Sequence, residues 1–168
     1  MKPIILDLDH CLIFASYEKI EGLDLIDQRE YHYLYFRPDL AMFLRHIERG
    51  FRIIFYTSSK KEYAEWVISN FNLTKDYKLF TRKYTKPKET EFGVHYIKSL
   101  KKLKLKSVSD ILVLDDRPDM WIADGVKFID IDPWNGELHD SSLKRIMIAM
   151  IKERLPHVCT YPFPRKKK

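Results

Sequence analysis

Asp7 and Asp9 stand two residues apart at the end of a short apolar run, residues 3–6, in the segment Asp7-Leu8-Asp9-His10-Cys11. Two carboxylates at i and i+2 on a strand end and its loop resist staying ionised together without a cation. A hard divalent ion with oxygen ligands resolves that repulsion, and Mg²⁺ suits a phosphate site best. Taken alone, the same pattern describes an aspartate-rich turn. Two further runs end in the same manner. Residues 53–56 end in Thr57-Ser58-Ser59, where a hydroxyl with free helix N–H groups beyond it makes a corner for an anion or a plain N-cap. Residues 111–114 end in Asp115-Asp116-Arg117-Pro118-Asp119, adjacent acids that call for a cation or mark a polar turn at Pro118. Three such endings on neighbouring strands argue for one site, because ligands of an open α/β sheet bind beyond the carboxyl ends of its strands. A phosphate there needs a cation. Lys98 is the first choice, with Lys83, Lys86 and Lys88 competing by spacing.

The elements that must carry these residues can be read from periodicity. The three runs and a fourth, residues 126–131, are short and continuous, as parallel strands covered on both faces are. Between them lie segments of helical period. Leu40, Phe43, Leu44 and Ile47 share a face, and Gly50 stops that helix. Ser59 and Glu62 form a capping box for a helix bearing Tyr63, Trp66, Val67 and Phe71. Tyr96, Leu100 and Leu103 suggest a third helix, with Lys98 near its start. Leu143, Ile146, Met147, Met150 and Ile151 define a fourth. Residues 14–37, with the aromatic stretch 31–36, read as a small β excursion. Residues 72–95 read as loops with one short strand at Leu79-Phe80. The expected fold is therefore α/β: a Rossmann-like parallel sheet flanked by helices, with a small β insertion after the first strand.

With 168 residues, 45% of them apolar and 32% charged, the chain can bury a core without staples. A single domain over residues 1–160 and a basic tail over 161–168 are expected, acting as a monomer. Two cysteines, Cys11 and Cys159, make neither a disulfide framework nor a metal pair, which suits a reducing, intracellular setting. No apolar run approaches the roughly 18 residues of a membrane span, and no signal peptide is expected ahead of the first strand. The net charge of +6 is concentrated in residues 98–106 and 165–168. It permits an anionic partner, nucleic acid included, but a solvated lysine face is the commoner use of such runs.

At these residues the sequence resembles the haloacid-dehalogenase-like phosphatases. Within them it is similar to the branch that dephosphorylates the C-terminal domain of RNA polymerase II, and to that branch's small relatives. The likeness runs from residue 4 to about residue 151. The first family motif, DxDx(T/V), stands as Asp7-Leu8-Asp9-His10-Cys11, and the second, a hydroxyl at the next strand end, as Thr57. Arg37-Pro38 before a helix resembles the RPG-helix segment, and Tyr96-Ile97-Lys98-Ser99-Leu100 the YVKDL segment. Leu114-Asp115-Asp116-Arg117-Pro118-Asp119-Met120-Trp121 resembles the LDDR-x-D-x-W segment, and Glu137-Leu138-His139-Asp140 the ELHDL close. One position departs: Cys11 stands where this branch carries Thr and the wider family accepts Val, and a small buried filler is the better reading of it. No Cx5R loop follows that would make it a nucleophile.

The resemblance implies a Mg²⁺-dependent phosphatase. Asp7 would be the nucleophile and Asp9 the general acid/base. Thr57, Ser58 and Lys98 would bind the phosphoryl group. The Asp7 carboxylate, the Asp9 backbone carbonyl and Asp116 would hold the metal, supported by Asp115 and Cys11. The implied partner is a phosphorylated protein or peptide, the polymerase tail among them, with a nuclear location if that substrate is the right one. A nucleic-acid 3′-phosphatase of the same superfamily is the first rival, disfavoured by residues 115–121 and 137–140. A silent adaptor of the same fold is the second, disfavoured because both first-motif aspartates, Thr57, Lys98, Asp115 and Asp116 all stand.

Overall fold

The computed structural model of the chain describes residues 1–103, 105, 111–122, 126–152 and 158–159. It opens with β1 (Lys2–Leu6), whose Ile4, Ile5 and Leu6 are fully buried. Next come three short strands, β2 (Ile13–Ser16), β3 (Asp27–Arg29) and β4 (His32–Phe36), paired antiparallel in the order β2-β4-β3. They are the β excursion expected after the first strand. α1 (Leu40–Gly50) follows and buries Leu40, Phe43, Leu44 and Ile47 at helical spacing, then passes directly into β5 (Phe51–Tyr56). Next are α2 (Lys61–Ser69), β6 (Lys78–Phe80), a hairpin of β7 (Lys86–Thr90) and β8 (Gly93–Ser99), and a 3₁₀ turn at Leu100–Leu103. The described chain closes with β9 (Leu112–Leu114), β10 (Trp121–Ile122), β11 (Lys127–Ile129), α3 (Ser142–Ile151) and β12 (Val158–Cys159).

The main sheet has the order β12-β11-β9-β1-β5-β6, and its strands are parallel except for β12. Because β1 lies at the centre, with β5 on one side and β9 on the other, the switch point of the sheet falls at its carboxyl end. The period of two along the strands divides the core. Ile4, Leu6, Phe55 and Leu114 face α1, α2 and α3, while Ile5, Ile54, Tyr56 and Val113 face the opposite way. Each such side chain, fully buried, contributes about 1.5–3 kcal/mol relative to exposure. The fold is the expected Rossmann-like α/β sheet with a β insertion.

Three local expectations do not hold. The stretch around Tyr96–Lys98 is a strand, not a helix: β8 pairs with β7 on one side and with β10 on the other. Its Val94, Tyr96 and Ile97 favour extended backbone, and the hairpin with residues 86–90 supplies partners for its polar groups. Among the described residues, the face of the sheet carrying Ile5 and Val113 is therefore covered by this small sheet and the 3₁₀ turn. The hairpin also replaces much of the loop expected over residues 72–95. In addition, α2 starts with Lys60 as N-cap and no side-chain cap, because the Ser59 hydroxyl is engaged elsewhere. The tail over 161–168 lies outside the described residues. No helix among the described residues is long and apolar enough to cross a membrane.

Candidate active site

Strand register brings the three polar endings together. Leu6 is level with Phe55 and with Leu114, so Asp7 and Asp115 leave adjacent strands side by side, and Thr57 follows one residue beyond Tyr56. The Asp7 N–H donates to Leu114 O at 2.9 Å, which carries the ladder one residue further, to Asp7. Beyond it the chain turns tightly: the N–H groups of Leu12 and Ile13 both donate to Leu8 O, and His10 adopts a positive φ of 59°. That turn is clamped from outside. Arg37, itself buried, donates from Nε and Nη2 to the two oxygens of Asp140 at 2.9 and 2.8 Å, and from Nη1 to Cys11 O at 3.0 Å. The Arg37 and Asp140 segments, separate in the sequence, thus hold one loop.

Lys98 reaches the same spot from β8. Its Nζ donates to Asp115 Oδ2 at 2.6 Å and lies 2.8 Å from Asp7 Oδ1. Asp115 is saturated, since Trp121 Nε1 also donates to Oδ2 at 2.8 Å and the Arg117 N–H to Oδ1 at 2.9 Å. Asp7 is not. Asp7 Oδ1 meets Lys98 Nζ, an ammonium it shares with Asp115, and Asp116 Oδ1 is buried with no hydrogen-bond partner among the described residues. One carboxylate oxygen from each of Asp7, Asp115 and Asp116 falls in a cluster within 4.8 Å. Among the described residues these three carboxylates share a single ammonium, and Asp116 Oδ1 has no donor. A divalent cation bound by oxygen fits this donor set, because it supplies both the missing charge and the missing partner.

The electrostatics carry the same message. Burial, then the neighbouring Asp115, pushes the Asp7 carboxyl well above its ordinary value, and Lys98 only partly offsets this. Asp116 is pushed up to about 6 by burial and by Asp115. Burial acts to lower the Lys98 ammonium, but Asp115 and Asp7 outweigh it and keep the group charged. A bound divalent cation reverses the penalty on the acids.

The remaining sequence candidates lie as follows. Thr57 is fully buried; its Oγ1 accepts from the Ser59 N–H at 3.0 Å, and among the described residues nothing takes its own proton. Ser58 is half-buried, and its carbonyl accepts from Arg82 Nε at 2.7 Å. The Asp9 carboxylate stands apart from the acidic cluster, with Oδ2 accepting from Ser59 Oγ at 2.7 Å and Oδ1 from the Tyr63 hydroxyl at 2.5 Å. Burial and the Asp9 charge raise the Tyr63 phenol above its ordinary value, so it stays a donor. Cys11 is buried, and its thiol donates to Leu114 O at 3.6 Å. Lys83, Lys86 and Lys88, the competitors by spacing, are absent from these contacts.

Sequence reasoning gave Ser59 a capping role and Tyr63 a helix-face position, and gave no site role to either of them, to Trp121 or to the Arg37–Asp140 pair. Tyr63 reads as one more apolar position of a helix face, and nothing in its spacing shows that its hydroxyl meets Asp9. Among the described residues two cavities border these groups. One, of about 140 Å³, is lined by Asp115, Asp116, Pro118, Asp130 and Asp132 among others. The other, of about 340 Å³, lies between the insertion and α2 and is lined by Arg29, His32, Lys60, Tyr63 and Trp66 among others.

Comparison with known proteins gives a consistent result. The sequence pattern of a family described as NLI interacting factor-like phosphatase matches residues 2–157. Phosphatase PSR1 of Saccharomyces cerevisiae is 27% identical over 154 residues, covering 87% of this chain and 35% of its own length. A probable C-terminal domain small phosphatase of Dictyostelium discoideum is 26% identical over 151 residues, covering 85% and 47%. An RNA polymerase II C-terminal domain phosphatase of Encephalitozoon cuniculi is 30% identical over 124 residues, covering 70% and 28%. Thus the chain spans less than half the length of these relatives. A solved structure described as Fcp1, an essential RNA polymerase II CTD phosphatase, superposes with a TM-score of 0.59 at 20% identity, over 92% of this chain and 50% of that one, a likeness of fold.

Proposed function

We propose that this chain, which belongs to the NLI interacting factor-like phosphatase family, is a Mg²⁺-dependent phosphomonoester hydrolase that works through an aspartyl-phosphate on Asp7. The observation that carries the reading is the Lys98 ammonium set between Asp7 and Asp115, beside a buried Asp116 oxygen that has no donor among the described residues. An Asp7 oxygen attacks phosphorus in line, and the bond from phosphorus to the leaving oxygen breaks as Asp9 gives that oxygen its proton. Water then attacks the aspartyl-phosphate, Asp9 takes its proton back from the water, the bond from phosphorus to Asp7 breaks, and phosphate leaves. Lys98, the Thr57 hydroxyl and the segment at Ser58 bind the phosphoryl oxygens. Bound by the Asp7 carboxylate, Asp116 and the Asp9 backbone carbonyl, Mg²⁺ would neutralise charge on those oxygens. Asp115 keeps Lys98 in place, and Cys11 supports the loop after the nucleophile.

The substrate is read as a phosphoserine in a protein segment, of the kind found in the polymerase C-terminal domain. This rests on the names of the relatives and on the segments around Asp115–Trp121 and Glu137–Asp140. A nuclear location follows for a chain with that substrate. Residues 1–160 are taken as one catalytic domain, acting as a monomer, and 161–168 as a tail. The test is phosphate release from a heptad-repeat phosphoserine peptide beside a 3′-phosphorylated oligonucleotide. Preference for the peptide is expected; preference for the oligonucleotide overturns the substrate assignment and keeps the chemistry.

A further inference from the structure

Asp9 is held from both sides by hydroxyls of one segment. Ser59 Oγ donates to Oδ2 at 2.7 Å, and the Tyr63 hydroxyl, four residues on in α2, donates to Oδ1 at 2.5 Å. Among the described residues Asp9 is the Tyr63 hydroxyl's one hydrogen-bond partner. The ring is braced in turn. Its centroid lies 5.7 Å from Trp66 and 6.1 Å from His32, both edge-on. Trp66 is anchored to the insertion by Nε1 donating to Asp27 Oδ2 at 2.7 Å, and Asp27 also accepts from Asn70. A continuous set of contacts thus runs from β3 through Trp66 and Tyr63 to Asp9.

We propose that Tyr63, seconded by Ser59, is a positioning residue that aims the Asp9 carboxyl at the leaving oxygen, and that the β insertion serves this aim by bracing α2. The inference rests on the acid/base role given to Asp9 above. A hydroxyl suits the task because it donates to a carboxylate and accepts from a carboxylic acid, so the contact survives while the proton moves. A phenylalanine at 63 would keep the ring packing and lose the aim.

The test compares kcat/KM of wild type, Tyr63→Phe, Ser59→Ala and Asp9→Asn on p-nitrophenyl phosphate and on a phosphoserine peptide. p-Nitrophenolate leaves without a proton, whereas the serine alkoxide needs one. A positioned acid contributes roughly 10²–10⁴-fold, so misaiming it should cost about tenfold or more on the peptide and less than about threefold on the aryl ester, with KM little changed. Equal losses on both substrates, or none, overturn the positioning role. If Asp9→Asn itself fails to discriminate between the substrates, the acid role of Asp9 is wrong and the inference falls with it. If Asp9→Asn discriminates and Tyr63→Phe does not, the positioning role alone is wrong. Should Tyr63→Phe fail to fold, Ser59→Ala decides by the same ratio.

Discussion

Lys98 and Asp115 form a buried pair, Nζ to Oδ2 at 2.6 Å, with the side chains 4% and 1% exposed. The pair joins β8 of the small sheet to the end of β9 in the main one, and so fixes where the cation of the site stands. Removing one partner of a buried pair leaves the other charge without compensation, at about 3–5 kcal/mol. Lys98→Met should therefore cost about that much in metal-free urea unfolding, and Mg²⁺ should restore part of it. A loss below about 1 kcal/mol would mean that the pair is solvated and the site more open than described.

Asp116 Oδ1 is buried without a donor among the described residues, so this side chain burdens the metal-free fold. Asp116→Asn should leave the chelator-treated protein at least as stable as wild type. It should also remove most of the rise in melting temperature that Mg²⁺ gives the wild type. Equal Mg²⁺ stabilisation of both proteins would exclude Asp116 as a ligand.

Arg37 and Asp140 meet in a two-pronged pair that also grips Cys11 O. Asp140→Asn should cost about 2–4 kcal/mol, somewhat under a fully buried pair because Asp140 keeps some exposure. The pair also sets a pH dependence. Burial acts to raise the Asp140 carboxyl, but the Arg37 and Ser142 donors outweigh it and hold the group below its ordinary value. A lowered acid contributes stability that is complete above the ordinary carboxylate range and is lost as pH falls through the native value. Wild type should therefore lose stability faster than Asp140→Asn below about pH 4. Parallel pH profiles for the two proteins would refute the coupling.

The Cys11 thiol is raised well above its ordinary value by burial first and by Asp7 next. It should resist iodoacetamide in the native protein and react on unfolding, and Cys11→Thr should keep the fold and the phosphatase rate within a few-fold. Rapid native alkylation that abolishes activity would give Cys11 a place in the chemistry.

Much of this arrangement was legible because strand ends announce themselves. Continuous apolar runs that stop at Asp7, Thr57 and Asp115 mark the strands whose ends lie side by side, and the spacing of Leu40, Phe43, Leu44 and Ile47 marks α1. The strand at Lys98 was hidden because Tyr96, Leu100 and Leu103 keep helical spacing by chance, while the hairpin with residues 86–90 overrides it. Ser59 looked like a cap because its position is right for one, and only the folded chain brings Asp9 within reach of its hydroxyl. Glu48 is similar: a charge on the buried face of α1, satisfied by the N–H groups of Thr74 and Lys75 at 2.7 and 3.0 Å from a distant loop. Contacts of polar side chains across long separations leave no period in the sequence.

Whether Asp7 is a metal-assisted nucleophile is tested most directly by release of phosphate from p-nitrophenyl phosphate, with and without Mg²⁺, for wild type beside Asp7→Asn. Activity that needs Mg²⁺ and falls by at least about 10³-fold in Asp7→Asn is the expected result. Turnover by Asp7→Asn at near wild-type rate, or no turnover by well-folded wild type with Mg²⁺ present, would contradict it.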